Sequence, residues 1–296
     1  MSSHSVPVLP LDLERDIFEM TAELYPGSIP NLLLVAQRVR EWVERIKYKT
    51  IILSNSPSSS WTFSLFLKVV RSNIKPTSFF RDSVRHLFVD LYPGPDRTEL
   101  QEILSVCGGI LSFTVLDVAV AGPPIMPGLE ARKLQRLALP RDPFSEVLNS
   151  PSAPHGMFAC VTHLDIINPV HGVSDETIRT LLSNPASLPM LTHLALACMG
   201  ETSAVAIALF ARRDTLEVFI NMYATSALPA VAQLPSVDDV RFVCMGLDDE
   251  DYREDWINGT KGEKDFWARA DAFVAKKRRG EIKPVSRCWI EPGDGI

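Results

Sequence analysis

Four side chains in this chain have types and spacing on which chemistry could be built: Cys160, His163, His193 and Cys198. Imidazole and thiolate are the ligands that zinc prefers. The two histidines hold equivalent places in two copies of a short phrase, Val161-Thr-His-Leu164-Asp-Ile166 and Leu191-Thr-His-Leu194-Ala-Leu196, thirty residues apart. If both phrases are neighbouring strands in register, the histidine backbones stand about 4.8 Å apart, close enough to share a metal. The spacings match no established zinc pattern, however, and both cysteines fall outside the phrases. The sequence therefore predicts histidines on an exposed face, cysteines as small buried hydrophobes, and no metal. No His-Glu-x-x-His, Gly-x-Ser-x-Gly or Gly-rich phosphate loop occurs, and no polar pair is spaced for general acid–base work. The expectation is a protein without catalytic residues or cofactor.

The elements that would position these residues are written by the same phrase. Its form, apolar-x-x-Leu-x-apolar, also fits Val84-Arg-His-Leu87-Phe-Val89, Phe113-Thr-Val-Leu116-Asp-Val118 and Leu134-Gln-Arg-Leu137-Ala-Leu139, with a looser copy at Val237-Asp-Asp-Val240-Arg-Phe242. Recurrence at about 20–30 residues points to leucine-rich-repeat architecture. The anchoring leucines lie 29, 21, 27 and 30 residues apart, so the solenoid is irregular. Leu216-Glu-Val-Phe219-Ile-Asn-Met222 fits only by bending the template, and an ordinary parallel α/β sheet is the structural competitor. The connections are long enough for right-handed crossovers, so the strands should be parallel. Capping and periodicity predict connecting helices near Asp96–Cys107, from Ser174, and over Ala204–Phe210.

Side chains alternate across a strand. With Leu164 and Ile166 inward, His163 and Asp165 point outward, alongside His86 and Phe88, Val115 and Asp117, Arg136 and Ala138, His193 and Ala195, and Asp239 and Arg241. A strip that mixes aromatic, charged and small residues suits recognition of a protein partner, and a solenoid binds on such a face. The partner-binding candidates are His86, Phe88, Asp117, Arg136, His163, Asp165, His193 and Arg241.

Helical modules flank the strands. Leu9, Leu13 and Ile17 follow Pro7 and Pro10 at helical spacing, and Pro26, Gly27 and Pro30 break the chain. A second amphipathic helix carries Leu32, Leu33, Val35, Ala36, Val39, Trp42, Val43 and Ile46. The predicted organisation is a helical module over 1–50, a linker and connecting helix over 51–83, a repeat domain over 84–247, and a C-terminal helix and tail over 248–296. Thr50-Ile-Ile-Leu53 reads as a short first strand, and Phe266, Trp267, Ala270, Phe273 and Val274 as the stripe of a helix docked on the last repeat.

Leu9-Pro10-Leu-Asp12-Leu13-x-x-x-Ile17 resembles the opening of the F-box, and Leu32-Leu33-Leu34-Val35-Ala36-x-Arg38-Val39-x-x-Trp42 resembles its second half. The wording is similar to the F-box-like proteins of mushroom-forming fungi, in Ser78-Phe79-Phe80 through Val84-Arg85-His86-Leu87 and Asp265-Phe266-Trp267 as well. The chain departs from that pattern at Ala36-Gln37, where Cys-Arg is usual, and by two extra residues before Trp42. The resemblance implies that Leu9, Pro10, Leu13, Ile17, Val35 and Trp42 pack on a Skp-type adaptor of a cullin-type ubiquitin ligase, while the repeats hold a target. The alternative is a repeat scaffold with no ubiquitin link, its N-terminal helices serving as a cap.

Composition bounds the rest. Hydrophobic residues make up 46% and charged residues 22% of 296, as in an ordinary folded protein. The net charge of -6 gives no reason to expect a nucleic-acid or membrane partner. Five scattered cysteines and the absence of a signal-like N-terminus make a cytosolic or nuclear location the expectation. The basic run Lys276–Arg279 reads first as charge offsetting a helix dipole, and second as a nuclear address.

Overall fold

The computed structural model describes residues 9–54, 61–90, 97–116, 134–140, 158–167, 186, 188–197, 203–227 and 237–296. Asp117, Cys198 and the helix expected from Ser174 lie outside these residues. The fold is mixed α/β: an N-terminal helical region leads into an open sheet of eight parallel strands whose spatial order is their order in the chain. Among the described residues, no helix is long and apolar enough to cross a membrane.

The helical region is built from α1 (Leu11–Leu24), α2 (Ile29–Leu32) and α3 (Gln37–Lys49). Pro26 and Gly27 stop α1, and a turn at Leu33–Ala36 separates α2 from α3. The expected second helix is therefore two pieces. Ala22, Ile29, Val39 and Val43 form the small core of this region. Arg38 grips Glu14 with two hydrogen bonds, of 3.1 and 2.7 Å, tying α3 to α1. Helix α3 ends at Lys49 and β1 (Thr50–Ser54) begins at the next residue. The sheet thus starts at Thr50.

The other strands are β2 (His86–Asp90), β3 (Ser112–Val115), β4 (Arg136–Pro140), β5 (His163–Ile167), β6 (His193–Ala197), β7 (Val218–Tyr223) and β8 (Phe242–Gly246). Register aligns one row of side chains from β1 to β8: Ile51, Leu87, Phe113, Leu137, Leu164, Leu194, Phe219 and Phe242. Helices α4 (Phe63–Arg71), α5 (Thr77–Ser83), α6 (Arg97–Val106) and α7 (Ser203–Phe210) cover this inner face, and the combined apolar cluster is the main core.

Two strand frames differ from expectation. In the third, Phe113 and not Leu116 is the inward anchor, because Ile110-Leu-Ser-Phe113-Thr-Val115 fills the phrase with Phe in place of Leu. The outward residues there are Ser112 and Thr114, so Val115 is inward. In the last, Phe242 and not Val240 is the anchor, both Asp239 and Arg241 precede the strand, and Arg241 lies over Phe210 of the inner-face core rather than outward.

The larger difference concerns the outer face. It was expected to be open, and it is covered. Helices α8 (Asp249–Thr260) and α9 (Phe266–Arg278) form a hairpin across it. Phe266, Trp267, Ala270, Phe273 and Val274 of α9 pack on Ala195, Val218, Ile220, Met222, Val243 and Met245 to make a second core. Parallel sheets are ordinarily buried on both faces. The C-terminal helix thus docks on the sheet's outer face rather than stacking beyond its last strand. Helix α8 was not anticipated: it runs straight through Asn258-Gly-Thr260, and the chain turns only at Lys261-Gly262.

Candidate functional site

Two places gather the residues singled out by sequence. The first is the outer face of the sheet. Its two rows read His86, Ser112, Arg136, His163, His193, Val218 and Phe88, Thr114, Ala138, Asp165, Ala195, Ile220, Val243, in strand order from β2. The small side chains Thr114 and Ala138 leave a trough between Phe88 and Asp165, and α8 bridges it. The Trp256 ring meets Phe88 at a tilt, 5.0 Å between centroids, and the Tyr252 hydroxyl donates to Asp165 Oδ2 at 2.6 Å. A chamber of about 230 Å³ remains, lined by His86, Arg136, His163, Asp165, Trp256 and Trp267 among others.

The expected exposed strip is thus mostly the floor of an interface. Phe88 is fully buried, Asp165 is 2% exposed and His193 is 7% exposed. His86, Arg136, His163 and Arg241 are half-buried. Arg241 stands apart, gripping Asp239 at 2.8 Å and lying over the Phe210 ring. Exposure failed because alternation fixes only which face a side chain takes, and a later segment of the same chain occupies that face.

The two histidines do lie side by side, in the pairing expected. Their rings stack at 4.2 Å with 10° between planes, and Trp267 meets His163 edge-on at 5.1 Å. Each Nδ1 contacts the hydroxyl of the preceding threonine, Thr162 at 2.9 Å and Thr192 at 2.7 Å. His193 Nε2 faces Asp271 Oδ1 of α9 at 3.0 Å. Stacked rings hold their nitrogens in parallel planes rather than aiming them at one point. Among the described residues no group of three or more His, Cys, Asp or Glu converges as a metal site would require, and Cys160 is exposed.

Electrostatics follow from burial. Loss of water lowers His163 to about 2, helped by His193 and Arg136. It lowers His86 to about 4, helped by the charges of Lys49, Arg136 and Arg85. It raises Asp165 to about 7, against the opposing hydrogen bond from Tyr252. At neutral pH His86 and His163 are uncharged and Asp165 is partly protonated. Asp165 Oδ1 and His86 Nδ1 are buried with no hydrogen-bond partner among the described residues. Arg136 reaches Asp265 Oδ2 at 2.8 Å, and Asp265 caps α9 by accepting from the Ala268 amide at 2.8 Å. Gly259 admits this carboxylate: a Cβ there would collide with it. The lining offers hydrogen-bonding groups and aromatic walls around one ion pair.

Sequence reasoning missed Tyr252, Trp256 and Asp265 as parts of this face. Tyr252 and Trp256 sit four residues apart, which places them on one helical side, but they are embedded in an acidic stretch.

The second place is the surface of α1 and the turn after α2. Leu9, Leu13, Ile17 and Val35 are 44, 52, 48 and 57% exposed, and Leu11, Met20, Leu24, Tyr25 and Leu34 are exposed with them. Pro10 is exposed and Trp42 half-buried. Leu24, Pro26, Ile29 and Leu34 also line a groove of about 880 Å³ that extends to Thr260 and Lys261 at the end of α8.

No family model matches the chain. No curated protein matches it either.

Proposed function

We propose that this chain is a non-catalytic recognition subunit of a cullin-type ubiquitin ligase, docking a Skp-type adaptor through its N-terminal helices. One observation carries the reading: Leu9, Pro10, Leu13, Ile17 and Val35 face water instead of the sheet. Helices that served only as a lid would bury these residues against the first strand. A contiguous apolar surface of this kind marks an interaction site, and the F-box-like wording of the same residues supplies the class of partner.

In this reading the sheet is a degenerate leucine-rich repeat whose recognition face is partly filled by its own hairpin. A target then meets the half-open rim at His86, Arg136 and His163, where the chamber opens between α8 and the strands. The mechanism is positional. Because α3 passes into β1 without a linker, the docking helices and the target face keep a fixed relation, and the chemistry belongs to other subunits.

Co-purification of the tagged chain with a Skp-type adaptor tests this. Adaptor recovered with wild type, and lost with a Leu9→Ala, Pro10→Ala double variant whose circular dichroism is unchanged, is the expected result. A folded wild-type chain that retains no adaptor overturns the ligase reading and leaves a scaffold that uses the same apolar face for another protein.

A further inference from the structure

Cys244 and Cys288 are far apart in the chain, and the fold brings them together. Cys244 lies on the inner face of β8, 2% exposed, and Cys288 lies in the tail after α9, 5% exposed. Their sulfurs are 3.7 Å apart in a thiol hydrogen bond. The backbones run alongside each other: the Cys244 amide donates to the Cys288 carbonyl at 2.6 Å, and Cys244 forms a parallel bridge with Trp289. Neighbouring strands are about 4.8 Å apart, and Cys288 is next to the bridge partner of Cys244, so the two segments are close enough for a disulfide.

The tail is held in this place. Arg287 reaches both Asp294 oxygens, at 2.9 and 2.5 Å, and Glu291 at 3.1 Å. Lys276 of α9 bonds the Asp294 carbonyl. The two thiols are also unequal. The hydrogen bond from Cys244 holds the Cys288 thiol below its ordinary value, with Lys277 assisting and burial opposing. The same contact and burial push Cys244 up. Cys288, on the tail and the more exposed of the two, is therefore assigned as the attacking thiol and Cys244 as the resolving partner.

We propose that Cys244 and Cys288 are a redox modification site that a peroxide converts to a reversible disulfide. The Cys288 thiolate attacks one oxygen of hydrogen peroxide, the O–O bond breaks and hydroxide leaves, giving a sulfenic acid. The Cys244 sulfur then attacks the Cys288 sulfur, its proton goes to the departing oxygen, and the S–O bond breaks with loss of water. In total two thiols and one peroxide give one disulfide and two waters: two electrons pass from sulfur to oxygen. A thiol reductant reverses the step. The link joins positions 44 apart and encloses both α8 and α9. Oxidation thus ties both ends of the hairpin to β8 and makes its closure over the outer face covalent. This stands independently of adaptor docking.

The test uses the reduced full-length chain and its Cys160→Ser variant, which removes the one thiol exposed among the described residues. Each is exposed to hydrogen peroxide, unfolded, alkylated with iodoacetamide, digested and mapped by mass spectrometry. The expected result is a Cys244–Cys288 cross-linked peptide that dithiothreitol abolishes, with Cys107 still alkylated, and a thermal midpoint raised by about 5 °C or more in the oxidised form. Cys244→Ser and Cys288→Ser should each lose the cross-link and the shift. Recovery of both cysteines as alkylated thiols, or of Cys288 as a sulfinic acid beside an unlinked Cys244, overturns the proposal on the wild-type chain alone.

Discussion

The two faces of the sheet are built from alternate residues of the same strands, yet they are made by different rules. The inner face is a ladder of like upon like: the row through Leu87, Phe113, Leu137, Leu164 and Leu194 is apolar from end to end and completely or almost completely buried. The outer face changes character along its length. From β6 to β8 it is apolar apart from His193 and packs tightly on α9, whereas from β2 to β5 it is mostly polar, encloses a chamber and leaves Asp165 Oδ1 and His86 Nδ1 without a partner among the described residues. Repetition writes the inner face. What the hairpin brings to each strand writes the outer one.

The sharpest challenge to this contrast is Phe113→Ala. If the inner row is one continuous core, the loss should be about 3–5 kcal/mol in a cooperative denaturant transition. A loss of under about 1 kcal/mol would show that the row is not packed as a unit.

The polar half should instead reveal itself through pH. Asp165 titrates near 7 in the fold against an ordinary 3.8, so its folded value is raised. Its contribution to stability is complete below 3.8 and is lost as pH rises to 7, at about 1.4 kcal/mol per pH unit. Asp165→Asn should remove that slope, and its advantage over wild type should grow between pH 4 and 7 and then level off. His86 and His163 have the opposite sign. Their folded values, about 4 and about 2, lie below the ordinary 6.5, so their contribution is complete above 6.5 and is lost as pH falls. His163→Gln should flatten acid unfolding below pH 6.5 by about one proton's slope. Stability curves for the two variants that parallel wild type would place the polar half in water rather than under the hairpin.

Smaller effects sharpen the picture at its margins. Arg136→Ala breaks the contact with the cap of α9, but the guanidinium is 40% exposed, so urea unfolding should register under about 1 kcal/mol. Ile17→Ala, on the unpartnered face of α1, should change stability by no more than about 0.5 kcal/mol in the same assay, while still weakening adaptor recovery. A large loss of stability there would mean that Ile17 is packed within the chain.

The legible part of this fold is the part governed by repetition. Leu87, Leu137, Leu164 and Leu194 announced both their strands and their register, and the His163–His193 pairing followed. Phe113 and Phe242 were misframed because a search for leucine passes over a phenylalanine that fills the same volume. Asn221 breaks the inner row of β7 in the same way. The covered outer face was not legible at all: period-two alternation says that Asp165 points away from Leu164, not that Tyr252, 87 positions later, will meet it. On the N-terminal helices the pattern identified the apolar positions, but an amphipathic stripe does not state whether it meets another element or water, and the exposure of Leu13 and Ile17 needed coordinates.

The parallel bridges at the two ends of the sheet have a consequence for the solution behaviour of the molecule. Leu53 of β1 pairs with Trp61 and Cys244 of β8 with Trp289, so each outermost strand has a short stretch of its own chain beside it, closed by a bulky indole. An open parallel sheet would otherwise present two free rims of amide and carbonyl groups, each a template on which another copy could continue the ladder. The two bridges interrupt that template at one position on each rim, Leu53 and Cys244, and set an indole beside it.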